Sequence, residues 1–313
     1  MIRKTSGIPS PANQWRSDAP LILVVLIWGF NFPIIKGVLE VMPAHAMNFL
    51  RLLVSELVLL VIYLFRIKKT GRPFFAPLRA HAGPVVSLGI LGYFCYQFTF
   101  IVGINNTAAG SAALIMASVP LWAALASHLF RFERLPFRAW AALAIILSGT
   151  AIIVLSGNHS IDFGPGVIFG NSVMVGAAAL WGTYSAFNRP VLQKVSPLEL
   201  SVFGLACALP LLFLLGAPHF DEIIWSRVHL MTWLAILFSG GLSTGVASIL
   251  WSASIRRSGA THTASFGNLV PFVALFSSFL LLDETISAGQ IAGGALIIGG
   301  LVWMRRARRP VAV

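Results

Sequence analysis

The sequence predicts an all-α integral membrane protein with ten transmembrane helices, arranged as two inverted five-helix repeats. Three observations predict this fold: an apolar composition, ten long apolar runs, and an internal repeat. Of the 313 residues, 57% are hydrophobic and 10% are charged, and the mean hydropathy is +0.85. Soluble proteins carry roughly 25% charged residues, so most of this surface must face lipid.

A helix that crosses the hydrocarbon core needs about 20 apolar residues, because lipid satisfies no open backbone hydrogen bond. Ten runs of about this length follow one another along the chain: 21–41, 46–66, 83–104, 108–130, 137–156, 164–189, 198–216, 229–254, 261–282 and 287–304. The polar residues 1–20 contain no contiguous apolar core, which is not the pattern of a cleavable signal. We expect them to form a cytoplasmic tail.

The distribution of positive charge predicts the orientation in the membrane. The chain has 22 Lys and Arg against 10 Asp and Glu, a net charge of +12. In a soluble protein this excess would suggest a nucleic-acid partner. Here 19 of the 22 fall on one side of the membrane if the N-terminus is cytoplasmic. We therefore expect both termini inside, with 305–313 as a basic cytoplasmic tail, and no nucleic-acid binding.

An internal repeat relates the two halves of the chain. Residues 109–149 align with 260–300 at a shift of 151 with 12 identities in 41, and WGFNFPIIKGVL at 28–39 aligns with WGTYSAFNRPVL at 181–192. Five helices per repeat is an odd number, so the second repeat enters the membrane from the opposite side. This predicts repeats at 21–156 and 164–304 joined by an external linker at 157–163. Inverted repeats are typical of secondary transporters, which bind substrate between the repeats near the midplane.

Two helix faces that match under this repeat carry polar and aromatic residues. Helical spacing groups Trp28, Asn31, Phe32 and Ile35 on the first helix, and Trp181, Tyr184, Ser185 and Asn188 on the sixth. An amide that faces lipid is costly, so these faces should point inward. They would line a substrate cavity or, alternatively, only pack helices together.

The third helix carries an aromatic and polar stripe through its middle. Its members are Gly89, Tyr93, Tyr96, Gln97 and Phe100, and Trp251 on the eighth helix occupies the corresponding region of the other half. Such a stripe suits a small amphipathic ligand, since rings stack on its apolar part and polar groups bond the rest. A buried core with satisfied hydroxyls is the alternative.

Pro120 and Pro271 occupy matching positions in the fourth and ninth helices. Proline removes one helical hydrogen bond and bends the helix. We expect bent helices that act as gates, with Asn268 near the bend; a static kink is the alternative.

Charged residues inside the apolar runs are functional candidates. Glu56 should lie near the midplane of the second helix and is a candidate for proton coupling, unless another helix pairs with it. Lys36 and Arg189, near opposite mouths, would attract anionic groups or extend to the membrane surface.

Two patterns point to other classes of protein or assembly. The glycines of the last helix, Gly289, Gly293 and Gly300, form a packing face for the fifth helix or for a homodimer partner. GLSTG at 241–245 matches a serine-hydrolase signature with Ser243 as nucleophile and His262 as its base, but Ser243 lies inside a transmembrane run.

The sequence shows no pattern for a cofactor or a metal. Cys95 and Cys207 form no metal or disulfide pattern, and the nucleotide-binding and metalloprotease motifs are missing. We therefore expect no cofactor and no metal.

These residues resemble the EamA-type transporters of the drug/metabolite transporter superfamily. The resemblance covers about residues 20–306. It rests on Trp28-Gly29, Arg51 in NFLRLL, the two prolines, FER at 132–134, DET at 283–285 and the glycine-rich last helix. It implies a bacterial inner-membrane exporter of amino acids or other small metabolites that works by alternating access without ATP. Uptake, or transport of drugs or nucleotide sugars, remains an alternative. The resemblance also implies that helices one, three, four, six, eight and nine surround the cavity, with an aromatic lining similar to that of YddG-like exporters.

Overall fold

The computed structural model describes residues 11–131, 137–155, 165–258, 266–267 and 269–307, and these residues are helical apart from short connections. The first half contains Pro11–Val38 (α1), Ala44–Thr70 (α2), Ala76–Gly89 (α3), Tyr96–Asn105 (α4), Ala109–Met116 (α5), Val119–Leu129 (α6) and Phe137–Leu155 (α7). The second half contains Pro165–Val191 (α8), Pro197–Gly216 (α9), Leu230–Leu237 (α10), Ala247–Ser258 (α11), Val270–Leu282 (α12) and Ala288–Ala307 (α13). Two short 3₁₀ turns, Ala217–His219 and Trp225–Arg227, lie between α9 and α10.

Six helical segments of the described chain are long and apolar enough to cross a membrane: 19–38, 76–105, 109–129, 166–188, 197–219 and 230–251. Arg138–Ile153, Val270–Leu282 and Ala288–Met304 are shorter apolar helices. Together with α2 they form the ten-span, all-α membrane fold that the sequence predicts.

The third span of each repeat is not a regular α-helix. A π-helical segment, Ile90–Cys95, joins α3 to α4, and a second one, Phe238–Val246, joins α10 to α11. π-Helical turns are rare and are frequent at functional sites, since the wider turn changes the direction of the side chains. Periodicity alone predicts plain helices here and does not reveal either segment.

The fourth span is interrupted rather than bent, which corrects the prediction of one helix over 108–130. It consists of α5 and α6 with a break at Ala117 and Ser118. Pro120 is the second residue of α6, where a missing N–H costs nothing. The Ser118 hydroxyl donates to the Ile115 carbonyl at 2.7 Å and so satisfies an end of α5.

The ninth span has the same arrangement around its proline. Pro271 is the second residue of α12, after Leu269 at the helix N-cap. Neither proline therefore lies in the middle of a continuous α-helix. Asn268 and residues 261–265 of the predicted run lie outside the described residues.

Glycines join the two halves at equivalent positions. Gly149 on α7 lies against the carbonyl of Gly293 on α13, and Gly300 lies against Ile146. Gly149 and Gly300 are equivalent under the shift of 151, and so are Ile146 and Ile297, which also lies beside Gly149. The glycine face of the last helix thus packs on the fifth span within the chain. Because the fifth span covers this face, the face no longer supports a homodimer. The homodimer itself stays a prediction.

The glycines of the two Trp-Gly pairs also allow helices of the two halves to pack closely. A Cβ on Gly29 would lie 2.5 Å from the Cβ of Val273 on α12, and a Cβ on Gly182 would lie 2.5 Å from the Cβ of Trp122 on α6. Val273 and Trp122 match under the same shift of 151. Each repeat therefore places its first helix directly against the fourth span of the other repeat.

Candidate functional site

A cavity of about 220 Å³ lies between the two halves, where the first, third, fourth, sixth, eighth and ninth spans meet. Arg51 on α2 also lines the cavity. The lining consists of Trp28, Asn31, Phe32, Arg51, Tyr93, Tyr96, Gln97, Phe100, Ala113, Met116, Ala117, Val119, Pro120, Trp181, Ser243, Thr244, Ser248, Trp251, Gly267, Val270 and Pro271.

Rings from both halves form most of the cavity wall. The ring centroids of Trp28 and Trp251 lie 5.0 Å apart, and those of Tyr96 and Trp181 lie 4.7 Å apart. Phe100 contacts Tyr96 with a centroid distance of 5.6 Å. Aromatic pairs at such distances stabilise each other by about 0.5–1.5 kcal/mol beyond their burial. These contacts hold the rings of the wall against one another.

Two polar groups of α1 face this region. The Trp28 indole Nε1 donates to the backbone carbonyl of Ser243 at 3.1 Å, which ties α1 to the second π-helical segment. The Asn31 side chain is buried, and its Oδ1 has no hydrogen-bond partner among the described residues. A buried amide oxygen without a partner costs free energy, so Asn31 is available to a polar ligand.

Arg51 is the charged residue of the described lining, and its side chain is fully buried. Its Nη2 donates to Asn48 Oδ1 at 2.8 Å and to Gln97 Oε1 at 2.6 Å. Its Nη1 makes a longer hydrogen bond of 3.4 Å to Thr244 Oγ1. The guanidinium therefore holds α2, α4 and the second π-helical segment together at the cavity.

The comparisons with known proteins agree with this architecture. The model of the EamA-like transporter family matches residues 17–155 and again residues 168–306. The chain belongs to the EamA-like transporter family. As a member of that family it is a membrane transporter of a small molecule and not an enzyme, which removes the serine-hydrolase alternative. Ser243 belongs to the cavity wall, and His262 lies outside the described residues.

This EamA-like transporter is similar to curated bacterial proteins over nearly their whole length. It is 28% identical to a probable terminal-alkyne amino-acid exporter of Streptantibioticus cattleyicolor, covering 91% of this chain and 92% of the relative. It is 29% identical to a probable amino-acid metabolite efflux pump of Salmonella typhimurium, covering 93% and 96%. A crystal structure of a protein 23% identical to it superposes with a TM-score of 0.67 over 95% of this chain and 98% of its own, and shows the shared fold.

Most of the binding residues that the helix faces predict lie around this cavity. Among the predicted binding residues, those that line it are Trp28, Asn31, Phe32, Tyr93, Tyr96, Gln97, Phe100, Trp181 and Trp251, and both candidate gate prolines line it as well. Their contact with a substrate stays a prediction.

Two predicted binding residues, Tyr184 and Asn188, do not line the cavity in the described structure. Tyr184 is buried behind the wall, where its ring stacks on Trp181 at a centroid distance of 4.9 Å and meets Tyr93 edge to face. Asn188 lies one turn beyond it and is half-buried. Asn268 lies outside the described residues, so its position stays a prediction.

The Glu56 carboxylate is buried in α2 but does not line the cavity. Its Oε2 has no hydrogen-bond partner, and no cationic side chain of the described chain forms an ion pair with it. The structural alternative, a salt bridge to another helix, therefore finds no partner among the described residues. A role in coupling stays a prediction.

Two charged side chains bind backbone groups at one end of the bundle, which is formed by residues 39–43, 106–108 and 283–287; we call it the Glu284 end. The Lys36 ammonium donates to the carbonyls of Ile104 at 3.1 Å and Asn105 at 2.9 Å, at the C-terminus of α4. The Glu284 carboxylate accepts the N–H groups of Ala109 at 2.9 Å and Gly110 at 3.1 Å, at the N-terminus of α5.

Both charges complement helix ends, since helix C-termini favour cations and N-termini favour anions. Lys36 therefore binds backbone carbonyls here, whereas the sequence suggested an anion attractor or a side chain extended to the membrane surface. Its counterpart Arg189 has a side chain outside the described set.

Sequence reasoning missed Arg51 as a lining residue, along with Thr244 and Ser248. One signal was present: Asn48 and Arg51 are three residues apart and therefore share a helix face. No comparable signal marks Thr244, because it lies in the second π-helical segment, which departs from α-helical spacing. Ser248 follows that segment, in the first turn of α11.

Proposed function

We propose that this EamA-like transporter is a secondary-active exporter of small amphipathic metabolites, with amino acids as the first substrate class. The observation that supports this proposal best is the cavity between the repeats, whose aromatic wall also carries amide and hydroxyl groups. Rings would hold the apolar part of the solute, and Asn31 and Gln97 would bond its polar part. The relatives named amino-acid exporters or efflux pumps support the same class.

The size of the cavity favours small solutes over the alternatives. Pockets for drug-sized ligands measure about 300–1,000 Å³, whereas this cavity measures about 220 Å³. A nucleotide sugar or a large drug would require a wider conformation. An amino acid is the better match.

Alternating access is the proposed mechanism. We infer that the bonds of Glu284 to Ala109 and Gly110, which connect the two repeats, would keep the Glu284 end closed. The positive-inside pattern predicts that this end lies at the periplasmic face of the inner membrane. The state described would then be one that faces the cytoplasm, and export would require release of these bonds. Rocking of the two repeats about the cavity would supply that motion.

The test is flux in proteoliposomes reconstituted with the purified protein. A panel of labelled amino acids, cationic drugs and nucleotide sugars is loaded on the side that corresponds to the cytoplasm, with and without a pH gradient. We expect flux of neutral apolar amino acids and none of nucleotide sugars. Flux confined to drugs, or accumulation in the uptake direction alone, would contradict the proposal.

A further inference from the structure

We propose that Arg51 is the site that binds the carboxylate of the transported solute. The inference rests on the proposed transport of amphipathic metabolites and adds to it a chemical requirement, an anionic group next to an apolar one. Nothing in the names of the relatives assigns a role to this residue.

The first argument is the balance of hydrogen bonds at the guanidinium. An arginine carries five N–H donors. Two go from Nη2 to the amide oxygens of Asn48 and Gln97, and one goes from Nη1 to the Thr244 hydroxyl. The Nε atom has no partner among the described residues. Donor capacity therefore remains on a side chain that reaches the cavity.

The second argument is the missing counter-charge. Every acceptor that the described structure gives Arg51 is neutral, and no Asp or Glu of the described chain lies within ion-pair distance of it. A buried cation is costly unless an anion and full hydrogen bonding compensate it. A carboxylate is an anion whose geometry matches the planar guanidinium, and it is the anionic group of the proposed amino-acid substrates.

The third argument is the position of the charge relative to the aromatic wall. The guanidinium carbon lies 5.8 Å from the centre of the Phe100 ring, and Gln97 shares the helix with that ring. A solute whose carboxylate meets Arg51 would lay its apolar portion against the Phe100 side of the wall. Aliphatic and aromatic amino acids have this arrangement, whereas primary amines, amides and cationic drugs lack the anion.

The experiment compares phenylalanine with its primary amide, which has the same ring and ammonium group but no carboxylate. Binding is followed by quenching of intrinsic tryptophan fluorescence, since Trp28, Trp181 and Trp251 line the cavity. Flux is measured on the same preparations. Arg51→Gln is the test variant. Arg66→Gln is the matched control, because it is the same substitution at an exposed position of the same helix.

For the wild type we expect affinity for phenylalanine at least about 10-fold higher than for the amide. Arg51→Gln should lower phenylalanine affinity about 10- to 100-fold, as hydrogen bonds to charged groups allow, and leave amide affinity unchanged. Arg66→Gln should retain the wild-type preference. Arg51→Lys keeps the charge but loses the planar fork, so it should show an intermediate preference.

Equal binding of acid and amide by the wild type would overturn the inference, and this comparison needs no variant to fold. An equal loss for both ligands in Arg51→Gln would also overturn it and would make Arg51 a structural residue. Binding that depends on the carboxylate and on Arg51, without any flux, would support the inference while contradicting the proposed export.

Discussion

Replacing Ser277 by alanine would remove a hydrogen bond that compensates a proline in another helix. Pro33 lies inside α1 and has no N–H, so the carbonyl four residues earlier, that of Gly29, lacks its helical donor. The Ser277 hydroxyl on α12 approaches this carbonyl at 3.3 Å, and also the Ala274 carbonyl at 3.1 Å. The oxygen that Pro33 leaves free is therefore bonded across the helix interface.

The equivalent interface, between α8 of the second repeat and α6 of the first, supports this interpretation because both residues differ there. The position that matches Pro33 is Ala186, whose N–H can complete the helix, and the position that matches Ser277 is Ala126. Both alanines are buried. Where the proline is absent, the serine is absent too. The sequence does not explain why Pro33 has no proline counterpart in the second repeat. In the structure, the Ser277 hydroxyl compensates the hydrogen bond that Pro33 removes.

The expected cost of Ser277→Ala is about 1 kcal/mol in the free energy of unfolding. Interhelical hydrogen bonds inside membranes average about 0.6 kcal/mol and reach about 1.7 kcal/mol. A buried carbonyl left without a donor adds a penalty of about 1–3 kcal/mol in general. The hydroxyl proton is shared between two carbonyls at 3.1 and 3.3 Å, which favours the lower part of these ranges.

The assay is reversible unfolding in mixed micelles with increasing dodecyl sulfate. The variants are Ser277→Ala, Pro33→Ala and the double variant, which reproduces the pair Ala186 and Ala126 of the equivalent interface. Ser278→Ala is the matched control, because Ser278 is buried on the same helix and its hydroxyl has no partner among the described residues. We expect the single Ser277 variant to lose stability and the double variant to recover it.

The result that would refute this reasoning is a loss that persists in the double variant. Persistence would mean that Ser277 contributes through packing or through Ala274 and not through the Gly29 carbonyl. Equal stability of Ser277→Ala and the Ser278→Ala control would refute it as well, since the compensating bond would then contribute nothing measurable.

Three further predictions follow from contacts described above. Gly29→Ala should cost about 1–3 kcal/mol through overpacking against Val273, whereas Gly37→Ala, with no atom within 4 Å, should be neutral in the same unfolding assay. Glu284→Gln removes the negative charge at the N-terminus of α5 and should lower stability by about 1 kcal/mol. An unchanged unfolding midpoint would argue against a stabilising contact between Glu284 and α5. If Glu56 carries the coupled proton, Glu56→Gln should abolish the dependence of flux on a pH gradient, and unaltered dependence would remove it from the mechanism.

The fold and most of the cavity wall follow from the sequence because both depend on patterns that lipid enforces. Lipid excludes charge, so hydropathy gives the spans, and it penalises exposed amides, so Asn31 had to point inward. The aromatic stripe of the third span survives the π-helical segment because Tyr96 and Phe100 lie beyond it in a regular helix.

Other parts of the site depend on contacts between distant segments. Arg51 and Thr244 are 193 positions apart in sequence, and nothing local to either residue predicts their bond. The break at Ala117 depends on how α5 and α6 pack on the other repeat, and proline alone is equally compatible with a bend. Lys36 likewise binds carbonyls at the C-terminus of α4, a segment that is distant from it in sequence. The residues around Lys36 do not predict this contact.

The packing of the two repeats is symmetric, but the chemistry of the cavity is not. Matching glycines join the repeats, and both repeats contribute tryptophan rings, Trp28 from one and Trp251 from the other. Among the described lining residues the cation is Arg51 of the first repeat, and residues 197–216 of the seventh span contain no Lys or Arg to match it. A symmetric scaffold can rock between two equivalent arrangements, while a single cation allows one orientation of an anionic solute. The solute would therefore keep its carboxylate on the same residue in both states, and the protein would move around it.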